Sequence, residues 1–350
     1  MKHLSFSSLL VVLSLSACGL FPGGSELQEP TEELPEVQAE IAATEPGVLH
    51  ITWPGELPAE RINHAGDHDS SKTAASRQAP GGDRFTLGKY ERPFNANTMD
   101  VYFPYLDIID TFVYQDEQWA YGVITLQGTD SNGNLGGKYG IEFDLDIDGK
   151  GDWLALVSQP ASSEWTTDGV QVYHDANHTV GCEYAMKSDY GSEGDGFEEL
   201  VFDAGEGNDP DLAWARVITD TSPSVQIAIK LTAFENSEKY MLNMWAGNSD
   251  LDPALFDFND ILTHEQAGAA DPGYELFYPI KELAELDNSC RITVGFEPAG
   301  NEPGLCETLI PRGPGAPSIP GACPSPGCPP LFHWDPISCE CVEDPPGKLE

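Results

Sequence analysis

Residues 139–153, with the sequence YGIEFDLDIDGKGDW, constrain the fold more strongly than any other stretch. Apolar and acidic residues alternate there, and a β-strand points alternate side chains to opposite faces. Glycines then punctuate an acidic turn before the chain becomes apolar again, which predicts a strand, a turn and a returning strand. The apolar face holds Tyr139, Ile141, Phe143, Leu145 and Ile147, and the acidic face holds Glu142, Asp144, Asp146 and Asp148.

The acidic turn predicts a calcium site. Same-face neighbours on a strand lie roughly 6.6 Å apart, and two carboxylates at that distance repel by about 2.5 kcal/mol at an effective dielectric constant near 20. Such a row therefore faces bulk solvent or surrounds a cation, and a solvated acidic hairpin is the alternative to calcium. The pattern matches the calcium loop D-x-D-x-D-G, with a backbone carbonyl two residues after the last Asp. The predicted ligands are Asp144, Asp146, Asp148, the carbonyl of Lys150, and Asp152.

The match to this loop is incomplete. A bidentate Glu is expected at the twelfth position, where Ala155 stands. The flanking segments also predict strands, whereas an EF-hand has helices there. The loop therefore resembles the calcium loops of extracellular β-proteins, and a further acidic ligand is expected from elsewhere in the chain.

The segment from residue 85 to about residue 300 reads as strands separated by turns. Strands are predicted most clearly at 119–127, 225–231, 240–245 and 291–296, and less clearly at 169–174, 199–205 and 213–218. Only residues 279–286 predict a helix, with proline at its first position. Many short strands with turns between them indicate an all-β fold, an antiparallel β-sandwich of jelly-roll-like type.

The charge of the chain excludes one class of partner. The 350 residues include 58 acidic and 17 basic side chains, giving a formal net charge of -41. Nucleic-acid binding needs a basic surface, so no nucleic-acid partner is expected. A cation-rich exterior suits this charge, and adaptation to salt is an alternative explanation.

The first residues predict export. A basic start and a short apolar run form a signal peptide over residues 1–17, too short to span a bilayer. The residues Leu15, Ser16, Ala17 and Cys18 resemble the bacterial lipobox, which implies cleavage before Cys18 and lipidation of its thiol. The resemblance places the protein in the bacterial cell envelope, on its extracellular or periplasmic face. An ordinary cleaved signal is the alternative.

Residues 18–84 are predicted to be an acidic tether rich in Pro and Glu, followed by a loop, because this composition buries too little apolar surface to fold. His64 and His68 lie four residues apart in the loop, but no helical pattern supports a metal site. Residues 85–300 form the predicted sandwich domain, and residues 301–350 a cysteine-rich tail.

The cysteines predict that the tail is held by disulfides, since an exported protein permits them. Their pairing stays open, and Cys182 is left over. The candidates are Cys290, Cys306, Cys323, Cys328, Cys339 and Cys341. The C-x10-C-x-C spacing that ends at Cys341 resembles part of a small extracellular cysteine-rich repeat, although Glu343 stands where the next cysteine is expected. We expect a disulfide-linked tail without a ligand.

Motifs for catalysis are missing. His264 and Glu265 begin an H-E-x-x-H pattern, but Gly268 replaces the second histidine, so no zinc protease is expected. No G-x-S-x-G motif and no phosphate-binding glycine loop occur. Acids are so abundant that no pair is singled out for glycoside hydrolysis. Three more acidic stretches, 130–134, 188–195 and 257–260, are each a second calcium loop or a solvated turn.

The order of the strand WAYGVITL, then YGIEFDLDIDGKGDW, then a long return through the sheet resembles family 9 carbohydrate-binding modules and DOMON-type domains over residues 100–250. The resemblance implies a sandwich that binds sugar or another ligand, often with structural calcium. Pyranose rings stack on exposed aromatic faces, although burial is the commoner fate of a tryptophan. The candidates are Trp119, Trp165, Trp214 and Trp245.

Together these observations predict a non-enzymatic, lipid-anchored surface protein that contains Ca²⁺ and recognises a glycan or an extracellular protein. A structural envelope lipoprotein without a small ligand and an extracellular polysaccharide hydrolase are the alternatives.

Overall fold

A computed structural model describes residues 49–79, 82–180, 195–219, 222–268, 279–306, 332–335 and 340–343. Within these residues the chain is built mainly of antiparallel strands, numbered here in chain order. No helix in the described residues is long and apolar enough to cross a membrane.

One sheet has five strands, and all its neighbouring strands are antiparallel. In spatial order it contains β1 (Asn63–Gly66), β3 (Ile108–Gln115), β4 (Trp119–Leu126), β11 (Ser224–Lys230) and β10 (Ala213–Ile218). Its edge strand β1 lies ahead of residue 85, where the sandwich was expected to begin. The predicted strands 119–127, 213–218 and 225–231 are confirmed here.

The other sheet has nine strands. Its spatial order is β2 (Glu91–Arg92), β13 (Leu286–Asn288), β12 (Tyr240–Gly247), β5 (Lys138–Asp144), β6 (Trp153–Ser158), β7 (Val170–His174), β8 (Glu199–Asp203) and β9 (Glu206–Gly207), and β14 (Ile292–Val294) also pairs with β12. The strands β15 (Phe332–Asp335) and β16 (Glu340–Glu343) form a separate hairpin.

The described helices are single turns. They are α1 (Ser71–Ala74), α2 (Phe258–Ile261) and α3 (His264–Ala267), with 3-10 turns at Phe85–Leu87, Leu231–Phe234 and Pro253–Leu255.

The predicted helix at residues 279–286 is wrong. The Leu283 carbonyl accepts a hydrogen bond from Arg92, and the Ala284 N–H donates one to Asp250. Glu285 has a φ of 54°, outside the helical region, and the chain then enters β13. Hydrogen bonds to distant parts of the chain outweigh the weak helical preference of this segment.

The main hydrophobic core lies between the two sheets. Ile141 and Phe143 of β5 and Ile227 and Ile229 of β11 are fully or almost fully buried in one cluster. These positions alternate along their strands, as the sequence pattern requires. The predicted antiparallel β-sandwich is therefore confirmed.

A second hydrophobic cluster covers the other face of the nine-stranded sheet. Leu154, Trp245, Phe256 and Phe258 belong to it, and all four are buried. The central strands of this sheet are consequently buried on both faces. This arrangement encloses the side of β5 that the sequence pattern predicts to be acidic.

Candidate cation-binding sites

The predicted calcium loop connects β5 to β6. The strand ends at Asp144, earlier than the alternating pattern suggested, and the chain then turns with Ile147 at a left-handed φ of 65°. The carboxylate of Asp144 closes the turn by accepting the backbone N–H groups of Ile147 at 2.6 Å and Gly149 at 2.9 Å. Asp152 closes the other end by accepting the backbone N–H of Leu145 at 2.6 Å.

Three of the predicted ligands come together in this loop. Carboxylate oxygens of Asp144, Asp146 and Asp152 lie within 4.8 Å of one another. Oxygens bind calcium at about 2.3–2.6 Å, so two ligands on opposite sides of one ion are separated by up to about 5 Å. Asp148 lies outside this group of three and accepts the backbone N–H of Lys150 at 2.8 Å. The loop thus offers three carboxylates at a spacing that suits one ion.

A buried arginine lies beneath the loop. Arg291 donates from Nη1 to Asp144 at 2.9 Å, and its Nη2 lies 3.4 Å from a carboxylate oxygen of Glu142. The side chains of all three residues are at most 4 % exposed. Burial raises the pKa of Asp144 to about 7 and also raises that of Glu142, while the arginine opposes both shifts. Glu142 and Asp144 are therefore buried, so the alternative of a solvated acidic hairpin does not hold for these two residues.

The structure contains a second carboxylate group that no sequence motif predicted. Oxygens of Glu91, Asp107 and Asp287 also lie within 4.8 Å of one another, and these side chains are at most 1 % exposed. Glu91 lies on β2, Asp107 directly precedes β3, and Asp287 lies on β13. No motif links positions so far apart. The one available signal was an acid flanked by apolar residues, as in Leu106-Asp107-Ile108.

Each of these carboxylates has one oxygen fixed by the protein. The Ser70 hydroxyl donates to Glu91 at 2.6 Å, the Tyr102 hydroxyl donates to Asp107, and the Ile108 N–H donates to Asp287 at 2.6 Å. The second oxygens, with no hydrogen-bond partner within the described part of the chain, are Glu91 Oε2, Asp107 Oδ1 and Asp287 Oδ1. Buried polar atoms are normally paired, so three unpaired oxygens in one place require an explanation.

Asp67, which follows β1, extends this group. One of its oxygens accepts the backbone N–H of His68 at 2.9 Å, and Oδ2 is buried without a hydrogen-bond partner in the described residues. Burial raises the pKa of Asp67 to about 8 and that of Asp107 to about 7. Burial together with the neighbouring carboxylates holds the pKa values of Glu91 and Asp287 well above their usual range. The four carboxyls therefore act on one another electrostatically.

Three of the four candidate tryptophans are buried. Trp119, Trp214 and Trp245 are 2 %, 6 % and 4 % exposed. Trp245 donates from Nε1 to Glu142 at 2.9 Å in the second hydrophobic cluster. The expectation of exposed stacking faces is therefore wrong for these three, because packing encloses them. Trp165 is partly exposed, with the Arg216 guanidinium 4.5 Å above its ring.

Trp119 and Trp214 lie on strands of the five-stranded sheet and belong to one aromatic cluster, against which Trp165 packs. The segment of residues 50–57 packs on this cluster, with the His50 ring 4.7 Å from that of Trp214 and Leu57 against the cluster. The Asp211 carboxylate accepts two of its backbone N–H groups at 2.8 Å each. Trp165 donates to the carbonyl of Gly55 at 2.9 Å. The segment thereby separates much of the aromatic cluster from solvent.

One disulfide is described, between Cys290 and Cys306. It links the residue next to Arg291 to the start of the predicted tail, which confirms a disulfide for two of the six candidates. Cys341 lies on β16, for which only the backbone is described. The remaining predicted sites outside the described residues are Cys18, Cys182, Cys323, Cys328 and Cys339.

The smaller acidic stretches give no further metal group among the described residues. Asp130 accepts the backbone N–H groups of Asn132 and Asn134 at 2.8 Å each, which closes a turn. Residues 257–260 run into α2, and residues 188–194 lie outside the described part. His64 stacks on Phe112.

No protein-family model, curated protein or solved structure matches this chain. The resemblance to carbohydrate-binding and DOMON-type domains therefore stays a prediction.

Proposed function

We propose that this protein is an exported, lipid-anchored binding protein of the bacterial cell envelope whose β-sandwich is stabilised by Ca²⁺ at the loop between β5 and β6. The observation that carries the proposal is the grouping of Asp144, Asp146 and Asp152, whose carboxylate oxygens lie within 4.8 Å of one another. Hard carboxylate oxygens at this spacing are the ligands that calcium prefers.

The ion would stabilise the fold by offsetting repulsion within a loop that the strands hold in place. Arg291 compensates Asp144 from the buried side of the loop, at 2.9 Å. Asp146 and Asp152 lie further out, and a bound cation would compensate them. An ion that binds only the folded state stabilises it, by about 2.7 kcal/mol at 100 times its dissociation constant.

The ligand of this protein is proposed to be a glycan or an extracellular protein. Trp165 supports this assignment, because it is the member of the aromatic cluster with Trp119 and Trp214 that reaches the surface. The lipobox ending at Cys18 supports attachment to a membrane through a lipid. The net charge of -41 supports a cation-rich exterior and disfavours nucleic acid.

A structural envelope lipoprotein without a small ligand is the second candidate. The burial of Trp119, Trp214 and Trp245 favours it, because buried rings serve packing rather than recognition. No observation on the described residues favours a polysaccharide hydrolase.

Thermal unfolding in calcium and in chelator tests the proposal. The Asp146→Asn, Asp152→Asn double variant should lose the part of the calcium-dependent rise in Tm that comes from the loop. Asp130→Asn is a matched control, because Asp130 also closes an acidic turn but belongs to neither carboxylate group. An unchanged calcium response in the double variant would show that the loop does not bind calcium.

A glycan array that compares the unaltered protein with Trp165→Ala tests the proposed glycan binding. An array on which the unaltered protein binds no glycan favours the structural alternative.

A further inference from the structure

We propose that Glu91, Asp107 and Asp287 form a second, deeper site for a divalent cation, with Asp67 at its edge, that joins the two sheets of the sandwich. The site is independent of the loop between β5 and β6. Its chemistry selects a hard, oxygen-preferring ion such as Ca²⁺.

The unpaired oxygens are the first argument for this site. Glu91, Asp107 and Asp287 are each fixed through one oxygen by a protein donor, and each leaves the other oxygen buried without a hydrogen-bond partner among the described residues. The fixed oxygen orients each carboxylate, as the outer hydrogen bonds of a metal site do. A cation would supply the positive charge that the buried oxygens lack.

The spacing is the second argument. One oxygen from each of the three carboxylates falls within a group no wider than 4.8 Å. This width fits oxygens that share one calcium ion at about 2.3–2.6 Å each. Calcium takes about six to eight oxygens, so Asp67, backbone carbonyls or water would complete the shell.

The position in the fold gives the ion a structural role. Glu91 and Asp287 lie on β2 and β13, at one edge of the nine-stranded sheet. Asp107 directly precedes β3, and Asp67 directly follows β1, both of the five-stranded sheet. Since β2 has only two residues, an ion that ligates both sheets would hold this edge of the sandwich together.

A cleft of about 580 Å³ offers a route to the site. Asp67, His68 and Gly82 line it, and the disulfide between Cys290 and Cys306 lines it as well. A Cβ atom added to Gly82 would lie 3.2 Å from Glu91 Oε2. The unpaired oxygen of Glu91 therefore lies close behind Gly82 and the His68 imidazole, which both line the cleft.

Calcium binding to the metal-free, full-length protein tests this site without altering it. The Asp146→Asn, Asp152→Asn variant is stripped with EDTA, dialysed and titrated with CaCl₂ by calorimetry, with Tm measured before and after. We expect this variant to retain a calcium-binding event and a calcium-dependent rise in Tm. If this variant binds no calcium and its Tm does not change with calcium, the deep site is refuted. This conclusion holds whether or not the loop of the unaltered protein binds calcium.

The Glu91→Gln, Asp287→Asn variant supplies the converse test. It should bind one calcium ion fewer than the unaltered protein and keep the loop event. In EDTA it should melt at or above the temperature of the unaltered protein, because two buried uncompensated carboxylates are gone. Asp110→Asn is the control, since Asp110 lies on β3 but belongs to neither group. Unchanged calcium stoichiometry in Glu91→Gln, Asp287→Asn would show that the carboxyls hold protons rather than a cation, and would overturn the proposal.

Discussion

Replacing Arg291 with Met should be among the most damaging single changes in this protein. The arginine is buried with Asp144 at 2.9 Å and Glu142 at 3.4 Å, and the three side chains are at most 4 % exposed. Methionine keeps much of the volume but leaves two buried carboxylates without a counter-ion. Breaking a buried ion pair from one side costs about 3–5 kcal/mol. A domain is typically stable by about 5–15 kcal/mol in total, so this loss is a large fraction.

The pH dependence gives this prediction a second readout. Without the arginine, the pKa values of Asp144 and Glu142 should rise further, because Arg291 is the strongest of the influences that lower them. At acidic pH both carboxyls of the folded variant stay protonated, so it contains no buried negative charge without a counter-ion. The destabilisation should therefore be smaller at pH 5 than at pH 8.

Urea unfolding in EDTA, followed by tryptophan fluorescence, measures the effect. Glu56→Gln is the control, because it removes the 3.4 Å pair between Arg216 and a Glu56 side chain that is 91 % exposed. An exposed pair contributes up to about 1 kcal/mol, so this control should change little. Adding Glu142→Gln to Arg291→Met should restore part of the loss. If Arg291→Met costs no more than the control at pH 8, the arginine does not compensate the buried carboxylates and the reasoning is wrong.

Three other parts of the fold lead to further predictions. In EDTA, Tm should fall as the pH rises from about 4 to about 8. Unfolded carboxyls ionise near pH 4, whereas burial raises the pKa of Asp107 to about 7 and that of Asp67 to about 8 in the folded protein. Stability is lost over this range because the unfolded state binds fewer protons than the folded state. Saturating calcium should reduce this fall, and an equal fall with calcium present would contradict cation binding. Changing Cys290 and Cys306 together to Ser opens a loop with a sequence separation of 16 and should cost about 3 kcal/mol; a urea midpoint equal to that of the unaltered protein would show that the bond does not constrain the chain. Asp211→Ala removes the carboxylate that holds residues 50–57. The aromatic cluster beneath this segment should then be more exposed to water, so the tryptophan emission should shift to the red. An unchanged spectrum would mean that the segment keeps its place without Asp211.

Local pattern predicted the elements whose formation depends on neighbouring residues. The strand at Ala213–Ile218 appears within the predicted bounds, and β4 and β11 begin or end within a residue of prediction. The acidic turn after β5 is also where the sequence placed it, because the position of glycine and the spacing of aspartates are local properties. Residues 279–286 do not form the predicted helix, because their conformation depends on distant residues. Arg92 donates a hydrogen bond to a backbone carbonyl of this segment, and Asp250 accepts one from a backbone N–H.

The second carboxylate group lay beyond the reach of any local pattern. Glu91, Asp107 and Asp287 come from three separate parts of the sequence, and only the pairing of β2 with β13 and the packing of the sheets bring them together. The burial of Glu142 had the same cause, because a second hydrophobic cluster covers that face of the sheet.

The amino-acid sequence by itself determined that this chain is an antiparallel β-protein with an acidic turn, because alternation and turn chemistry act over a few residues. Tertiary structure decided which carboxylates are removed from water and which of them share a space, because burial depends on what packs against each face. The candidate cation chemistry depends on both, since a carboxylate at a turn becomes a candidate ligand only when other carboxylates are held within reach of the same ion.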